Sequence, residues 1–202
     1  MKLEEIFSDS FEMAKKLVDD FGRFLLLIVF GMIPILDFIV VGYGYKIIRS
    51  GKNELPELNN YFDLFISGLK IVVVAIIYFI IPISIIFATS GLGLSFILAP
   101  IMFIAISLLF LMAIVAAIGI VHMIVNENFT KAFALGEIME IISRIGWSKY
   151  ILWLLVIFAI SLFLSAIQSI PYVGWLIAGI LSPFYTVFIA RASYLIYMEA
   201  YD

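Results

Sequence analysis

The stretch VVGYGYKIIRSGKNELPEL, residues 40–58, decides how this chain is organised, because it joins an apolar segment to a basic one. Its residues 41–44, VGYG, match the core of the potassium-channel selectivity loop, in which backbone carbonyls replace an ion's hydration shell. Such a filter faces the outer solution, whereas this sequence runs directly into the basic segment YKIIRSGK, and Val40 stands where the filter carries threonine. These features favour the alternative, in which the two glycines allow close helix approach while Tyr43 and Tyr45 lie at the lipid headgroups.

Composition places the chain in a membrane. Of its 202 residues, 65% are hydrophobic and 13% are charged, and the mean hydropathy is +1.20. A soluble domain is about half apolar, so this chain has more apolar surface than one aqueous core requires. Cysteine is absent, and the net charge of -3 is accompanied by no basic run. We therefore expect no thiolate chemistry and no nucleic-acid partner.

Apolar tracts and basic residues together predict the topology. Each tract has about the 20 residues that a spanning helix needs. Basic residues concentrate after the first tract and after the third, whereas the turns TSGLGLS and QSIPYVG contain none. By the positive-inside rule, the basic segments are cytoplasmic and the two turns lie across the membrane. The tracts are residues 24–45, 71–88, 96–125, 151–170 and 175–198.

A recurring order of features predicts an internal repeat. Each unit opens with an amphipathic stretch, followed by a glycine and then a basic residue, and later contains a short motif: LDFIV, LSFIL or VGWLI. Asp37, Ser95 and Gly174 in these motifs are residue types that start helices. Each is therefore expected to begin the returning arm of a helical hairpin. The units cover approximately residues 1–52, 53–127 and 128–202.

The first hairpin differs from the others because its rising arm is shorter by about 12 residues, roughly three helical turns. We predict that it is re-entrant, breaks at Pro34 and returns from Asp37, with its tip buried among other helices as irregular backbone in lipid requires. The expected fold is all-α: one polytopic membrane domain over residues 1–202, with four full crossings and both termini cytoplasmic. The rival is five crossings with the N-terminus outside.

Amphipathic stretches predict helices that lie in the plane of the membrane surface. In ELPELNNYFDLFISGLK, residues 54–70, apolar residues fall on one helical face and polar residues on the other. Asn53 is the expected N-cap of this helix, and Pro56 falls in its first turn. The segment NFTKAFALGEIMEIISRIG, residues 128–146, repeats the pattern.

Two charged residues inside apolar tracts are candidates for an ion or proton site. Asp37 is the one acid in such a tract, and burying a carboxylate is costly enough to suggest function. The alternative is that it caps the helix that begins at Phe38. Arg191 has three interpretations: a partner for Asp37, a ligand for a lipid phosphate, or a side chain that extends to the cytoplasmic interface.

The remaining candidates concern headgroups and metals. Basic residues near the predicted cytoplasmic surface are expected to contact lipid headgroups. The single histidine, His122, lies at the end of its tract with few potential ligands nearby, which favours a helix-end role over a metal site. We expect no cofactor. The predicted headgroup residues are Lys46, Arg49, Lys52 and Lys70.

The run GYGYKIIRSGKNELPEL followed by FDLFISGLK resembles a family of prokaryotic polytopic membrane proteins of unknown function, whose members carry a similar glycine–tyrosine–arginine run and an ELPE-like segment. The resemblance covers nearly the whole chain and is most specific at residues 42–70. It implies an integral membrane protein, and it supplies no activity or site residues.

Three functions remain open at this point. We favour a non-enzymatic protein of the cell membrane that interacts with lipids or acts as a scaffold, with membrane lipids, other membrane proteins or a second copy as partners. A small-solute or ion transporter is the alternative, since such proteins bind substrate at broken helices. An intramembrane enzyme ranks third, because the sequence carries no nucleophile elbow, zinc-protease helix or phosphate loop.

Overall fold

All regular secondary structure in the residues that the computed structural model describes, 1–91 and 95–201, is helical, and the side chains of residues 91–98 are not described. The predicted all-α membrane fold is confirmed within these residues. Residues 92–94 of the predicted turn TSGLGLS, and the side chain of Ser95 with its predicted capping role, lie outside the described part of the chain. The α-helices are α1 (Leu3–Lys15), α2 (Phe21–Gly31), α3 (Asp37–Ser50), α4 (Tyr61–Gly91), α5 (Ser95–Val125), α6 (Leu135–Ile145), α7 (Trp147–Gln168) and α8 (Gly174–Met198), and a 3-10 helix covers Phe129–Phe133.

Long apolar helices form the body of the molecule. Of the described helices, α4, α5, α7 and α8 are long and apolar enough to cross a membrane. Large apolar side chains on their outer faces are exposed, among them Phe87, Phe103 and Phe163 at 78%, 73% and 66%. Exposure of this kind suits a surface that faces lipid. The helices α3, α5 and α8 begin at the residues that the repeated motif predicted, Asp37, Ser95 and Gly174.

The first tract forms two short helices rather than one long one. At a rise of 1.5 Å per residue, α2 and α3 are about 16 Å and 21 Å long, less than the roughly 30 Å of a bilayer core. Beside α8, Gly44 lies next to Thr186 and Gly51 next to Tyr194. At the other end, Met32 lies next to Gly179, which is about 7 Å from the start of α8. Each arm of the α2–α3 hairpin is thus shorter than a membrane-spanning helix.

The tip of this hairpin is exposed, so the prediction that other helices bury it is wrong. Ile33 and Ile35 are 43% and 67% exposed. The tip tolerates exposure because its backbone groups form hydrogen bonds with one another. The Ile33 amide donates to the carbonyl of Phe30, and the Asp37 amide donates to the carbonyl of Ile33. Local hydrogen bonds thus meet the requirement that we expected neighbouring helices to satisfy.

Glycines bring α3 and α4 into backbone contact. A methyl group added at Gly42 would lie 1.8 Å from the carbonyl oxygen of Leu64, and one added at Gly68 would lie 1.9 Å from that of Phe38. VGYG is therefore a helix-packing segment, and its carbonyls belong to a helix rather than a filter. The expectation that Tyr43 and Tyr45 reach the headgroups is wrong, since they are 0% and 8% exposed.

The predicted surface helix before α4 is also wrong in its first half, because residues 51–60 are not helical. Side chains from α2 and α3 bond the carbonyls that a helix would have used. Arg23 donates to Leu55, Tyr43 donates to Pro56, and Lys46 donates to Glu57, at 3.4, 2.8 and 2.8 Å. Asn53 and Pro56 therefore belong to an irregular loop.

Two amphipathic helices, α1 and α6, pack their apolar faces on the bundle. The apolar face of α1 includes fully buried Ile6 and Met13, and Leu17, which follows the end of the helix, is also fully buried. Phe7 of α1 stacks on Phe188 of α8. In α6, Ile138 and Ile142 are fully buried, and the helix contacts α5, α7 and α8. Much of the apolar face of each helix is thus occupied by protein.

Both chain ends lie at the same end of the bundle. The N-terminal ammonium and Lys149 both form ion pairs with Glu199. Burial by itself would raise the pKa of Glu199, but hydrogen bonds from Lys149 and the N-terminus outweigh it and hold the pKa below its usual value. The contact joins α1, α7 and the end of α8.

Candidate functional site

A polar cavity of about 440 Å³ opens beside the tip of the α2–α3 hairpin, and we call it the hairpin-tip cavity. It lies between the hairpin, α7 and α8, close to the α7–α8 turn and thus far from the chain termini. Its size falls within the usual range for small-ligand sites. The lining residues are Gly31, Met32, Asp37, Ser161, Leu164, Ser165, Gln168, Trp175, Ala178, Gly179, Ser182 and Tyr185.

Asp37 supplies the only charged side chain of this lining. The residue is the first of α3, and the predicted cap is absent because no side chain caps α3 and Leu36 occupies the N-cap position. The positive end of the helix dipole still favours a carboxylate there. No cation of the described residues lies within salt-bridge distance of it. The carboxylate is therefore available to a ligand.

Gly31 marks the place where the polar groups converge. A methyl group built on Gly31 would lie 3.8 Å from Oδ1 of Asp37 and 3.7 Å from Oγ of Ser182. Both oxygens therefore border the same small volume. The absence of a side chain at residue 31 leaves that volume open.

Hydroxyl groups of α7 and α8 extend the polar wall. Ser161 Oγ donates to the carbonyl of Ile157 at 2.8 Å and lies 2.5 Å from the hydroxyl of Tyr185. Since the serine proton is used, Tyr185 is the donor in that second bond. Among the described residues, Ser165, Gln168 and Ser182 have no bonded partner for their side chains. Their oxygens are free to accept bonds from a ligand.

Arg191 belongs to a different site. Its guanidinium donates from Nε to Asp9 at 2.6 Å and from Nη1 to the carbonyl of Lys52 at 3.1 Å. The residue is 6% exposed, so it neither extends to water nor pairs with Asp37. It fixes α1 and the loop after α3 to α8.

The predicted headgroup residues divide into two pairs. Lys46 bonds Asn59 at 2.6 Å, and Arg49 bonds both carboxylate oxygens of Glu127 at 2.8 Å. Lys52 and Lys70 are exposed, and their ammonium groups have no partner within the described residues. Two of the four side chains are thus engaged by the protein itself.

His122 lies in a buried polar network at the end of α5. Its Nδ1 lies 2.8 Å from the hydroxyl of Tyr197, and its Nε2 lies 2.8 Å from Glu137 on α6. Lys131 also donates to Glu137. The bonds from Lys131 and His122 hold the pKa of Glu137 below its usual value. The described residues contain no group of three potential metal ligands, and the network ties α6 to α5 and α8.

Sequence reasoning found Asp37 and missed the groups that face it. The missed signal is a helical spacing of polar residues inside apolar tracts. Ser161, Ser165 and Gln168 lie at intervals of four and three on α7, and Ser182 and Tyr185 lie three apart on α8. Polar residues on one face of a spanning helix point to the bundle interior rather than to lipid.

Comparison with known proteins identifies the family and no closer relative. The family model described as protein of unknown function (DUF4013) matches residues 25–190. No curated protein and no solved structure matches the chain. The match spans all three hairpins and the hairpin-tip cavity. The chain therefore belongs to the DUF4013 family.

Proposed function

We propose that this protein binds a small cation in the hairpin-tip cavity and belongs to the transport class of membrane proteins. The observation that carries the proposal is Asp37, a carboxylate at a helix break with no cationic partner among the described residues. Transporters built from helical hairpins place substrate sites at broken helices near the bilayer midplane. Unpaired charge at such a depth is costly, so a mobile cation is its natural partner.

The burial of the amphipathic faces weighs against the lipid-scaffold hypothesis. An interfacial helix binds a leaflet through its apolar face, and in α1 and α6 that face packs on protein. Lys46 and Arg49 likewise have protein partners. These contacts favour a compact bundle with an internal site.

The expected topology has both termini in the cytoplasm and the α2–α3 hairpin re-entrant in the cell membrane. Contact between Met1 and Glu199 supports it, because five crossings would separate the chain ends by the bilayer. The lengths of α2 and α3 support it as well. Basic residues accumulate at the end of the termini, as the positive-inside rule requires of a cytoplasmic face. The hairpin-tip cavity then opens to the outside.

The test compares wild-type protein with Asp37→Asn in detergent, using sodium, potassium and ammonium chlorides at equal ionic strength. A ligand that binds the folded state raises its melting temperature. We expect at least one cation to raise that of the wild type and none to raise that of Asp37→Asn. Because the Asp37 side chain makes no capping hydrogen bond to α3 and a charge at a helix end contributes up to about 1 kcal/mol, the variant should retain its unfolding free energy within about 1 kcal/mol. Identical responses of both proteins to every cation would refute the proposal.

Binding of anionic lipid at the cytoplasmic face is a second candidate, favoured by exposed Lys52 and Lys70. Each basic residue near such a leaflet contributes about 1 kcal/mol of attraction. Lys52→Gln/Lys70→Gln should lower the amount of anionic lipid that copurifies with the protein. The control is Lys15→Gln, since Lys15 already pairs with Glu12. Equal lipid content in wild type and the double variant would exclude this role.

A further inference from the structure

We infer that the ligand of the hairpin-tip cavity is a small primary ammonium compound with a short apolar tail, an inference that rests on the proposed cation site. The charge of the cavity sets the charge of the ligand. Asp37 is the single carboxylate of the lining. Its one negative charge balances a ligand with one positive charge and does not balance a divalent ion.

Cavity size favours an organic cation over a tightly coordinated metal ion. A bound metal needs six or so oxygen ligands at about 2.0–2.6 Å, arranged as a close cage. The hairpin-tip cavity has a volume of about 440 Å³, many times the roughly 30 Å³ of one water molecule. Its oxygens are also spread over three elements. An organic molecule fills this space and a bare ion does not.

The lining divides into a polar end and an apolar wall. At the polar end, Asp37 and Ser182 border the volume beside Gly31, and both accept hydrogen bonds. An ammonium group brings three N–H donors to these acceptors. The apolar wall contains Met32, Ala178 and the ring of Trp175. A short alkyl or aryl tail of the ligand would contact this wall.

The test uses n-propylammonium chloride as the probe, with sodium chloride at equal ionic strength and 1-propanol as the neutral analogue. The readout is the melting temperature of the purified full chain in detergent. We expect propylammonium to raise the melting temperature of the wild type by about 3 °C or more at saturating concentration. Sodium and propanol should give no such rise, and Asp37→Asn should abolish it.

A second variant fills the predicted position of the ammonium group and leaves the Asp37 carboxylate in place. Gly31→Ala places a methyl group between Asp37 and Ser182 at ordinary contact distances of 3.7–3.8 Å, so the fold tolerates it while the ammonium position is filled. We expect it to weaken propylammonium binding at least tenfold and to leave the melting temperature without ligand unchanged. Gly136→Ala, with nothing within 4 Å of the added methyl, is the matched control.

The outcomes distinguish this inference from the proposed function. One outcome is that sodium or potassium stabilises the wild type but not Asp37→Asn, while propylammonium stabilises neither protein. That outcome would overturn the inference that the ligand is an amine and would retain the proposed cation site. Stabilisation by propylammonium that survives Asp37→Asn would overturn the amine inference as well. A lack of response to every cation would refute both.

Discussion

At the scale of single residues, the strongest constraint on the fold is the absence of a side chain at Gly42. The Leu64 carbonyl occupies the position of a Cβ there, so Gly42→Ala must push α3 away from α4. We expect the free energy of unfolding to fall by about 3 kcal/mol. Thermal or denaturant unfolding in detergent measures it. Gly136→Ala, on an open helical surface, should leave stability unchanged or raise it by up to about 1 kcal/mol, and equal effects of the two substitutions would disprove the close crossing.

The buried ion pair between Arg191 and Asp9 gives a second prediction. Removing one partner leaves the other charge buried without compensation, so Asp9→Ala should cost about 3 kcal/mol. The two side chains are 8% and 27% exposed. Glu12→Gln removes an exposed pair on the same helix and should cost less than about 1 kcal/mol. If Asp9→Ala were as mild as Glu12→Gln, Arg191 would not anchor α1.

The types of residue in the apolar tracts predicted the position of a candidate site. They did not predict which side chains pair with each other. Asp37 stands out because it is an acid in an apolar tract. Arg191 seemed its natural counter-charge, yet Arg191 bonds Asp9, 182 positions away. Pairing over such a separation depends on how α1 packs against α8, which no local pattern contains.

At the scale of elements, α6 is held by a carboxylate that titrates. Neighbouring Lys131 and His122 lower the pKa of Glu137 from its ordinary value of 4.5. A carboxyl group whose pKa is lower in the folded state stabilises that state when the pH is above the ordinary pKa of the group. This stabilisation is lost as the pH falls through the lowered pKa. We therefore expect the hydrogen-exchange protection factors of the amides of residues 135–145, which are corrected for the intrinsic pH dependence of exchange, to fall in acid. Glu137→Gln should remove most of this pH dependence, and an unaltered dependence in the variant would assign it to another group.

The sequence located helices well and loops poorly. The motifs LDFIV, LSFIL and VGWLI predicted where α3, α5 and α8 begin, because a residue that starts a helix before an apolar run is a local signal. Residues 54–60 carried an amphipathic pattern and formed a loop, because Arg23, Tyr43 and Lys46 bond its carbonyls. Tertiary hydrogen bonds overrode local periodicity there.

At the scale of the whole molecule, a short hairpin beside full-length helices creates the space for a site. The helices α2 and α3 are shorter than α7 and α8, and polar residues of α7 and α8 line the cavity beside the hairpin tip. Segment lengths in the sequence predicted that the first hairpin has short arms, and α2 and α3 are short, while the three-unit repeat stays a prediction. It did not predict the cavity, since that depends on which helices are neighbours.

The proposed cation site requires the hairpin-tip cavity to face the side of the membrane opposite to the termini, and cysteine accessibility measures this orientation. The chain has no cysteine, so single substitutions need no altered background. The cell-impermeant, cationic thiol reagent MTSET is added to sealed vesicles of either orientation. Lys2→Cys reports the side on which the termini lie, and Ala192→Cys, at a buried position, is the unreactive control. We expect Ser182→Cys to react only from the side opposite to the one from which Lys2→Cys reacts. Reaction of both from the same side, or none at Ser182→Cys from either side, would contradict it.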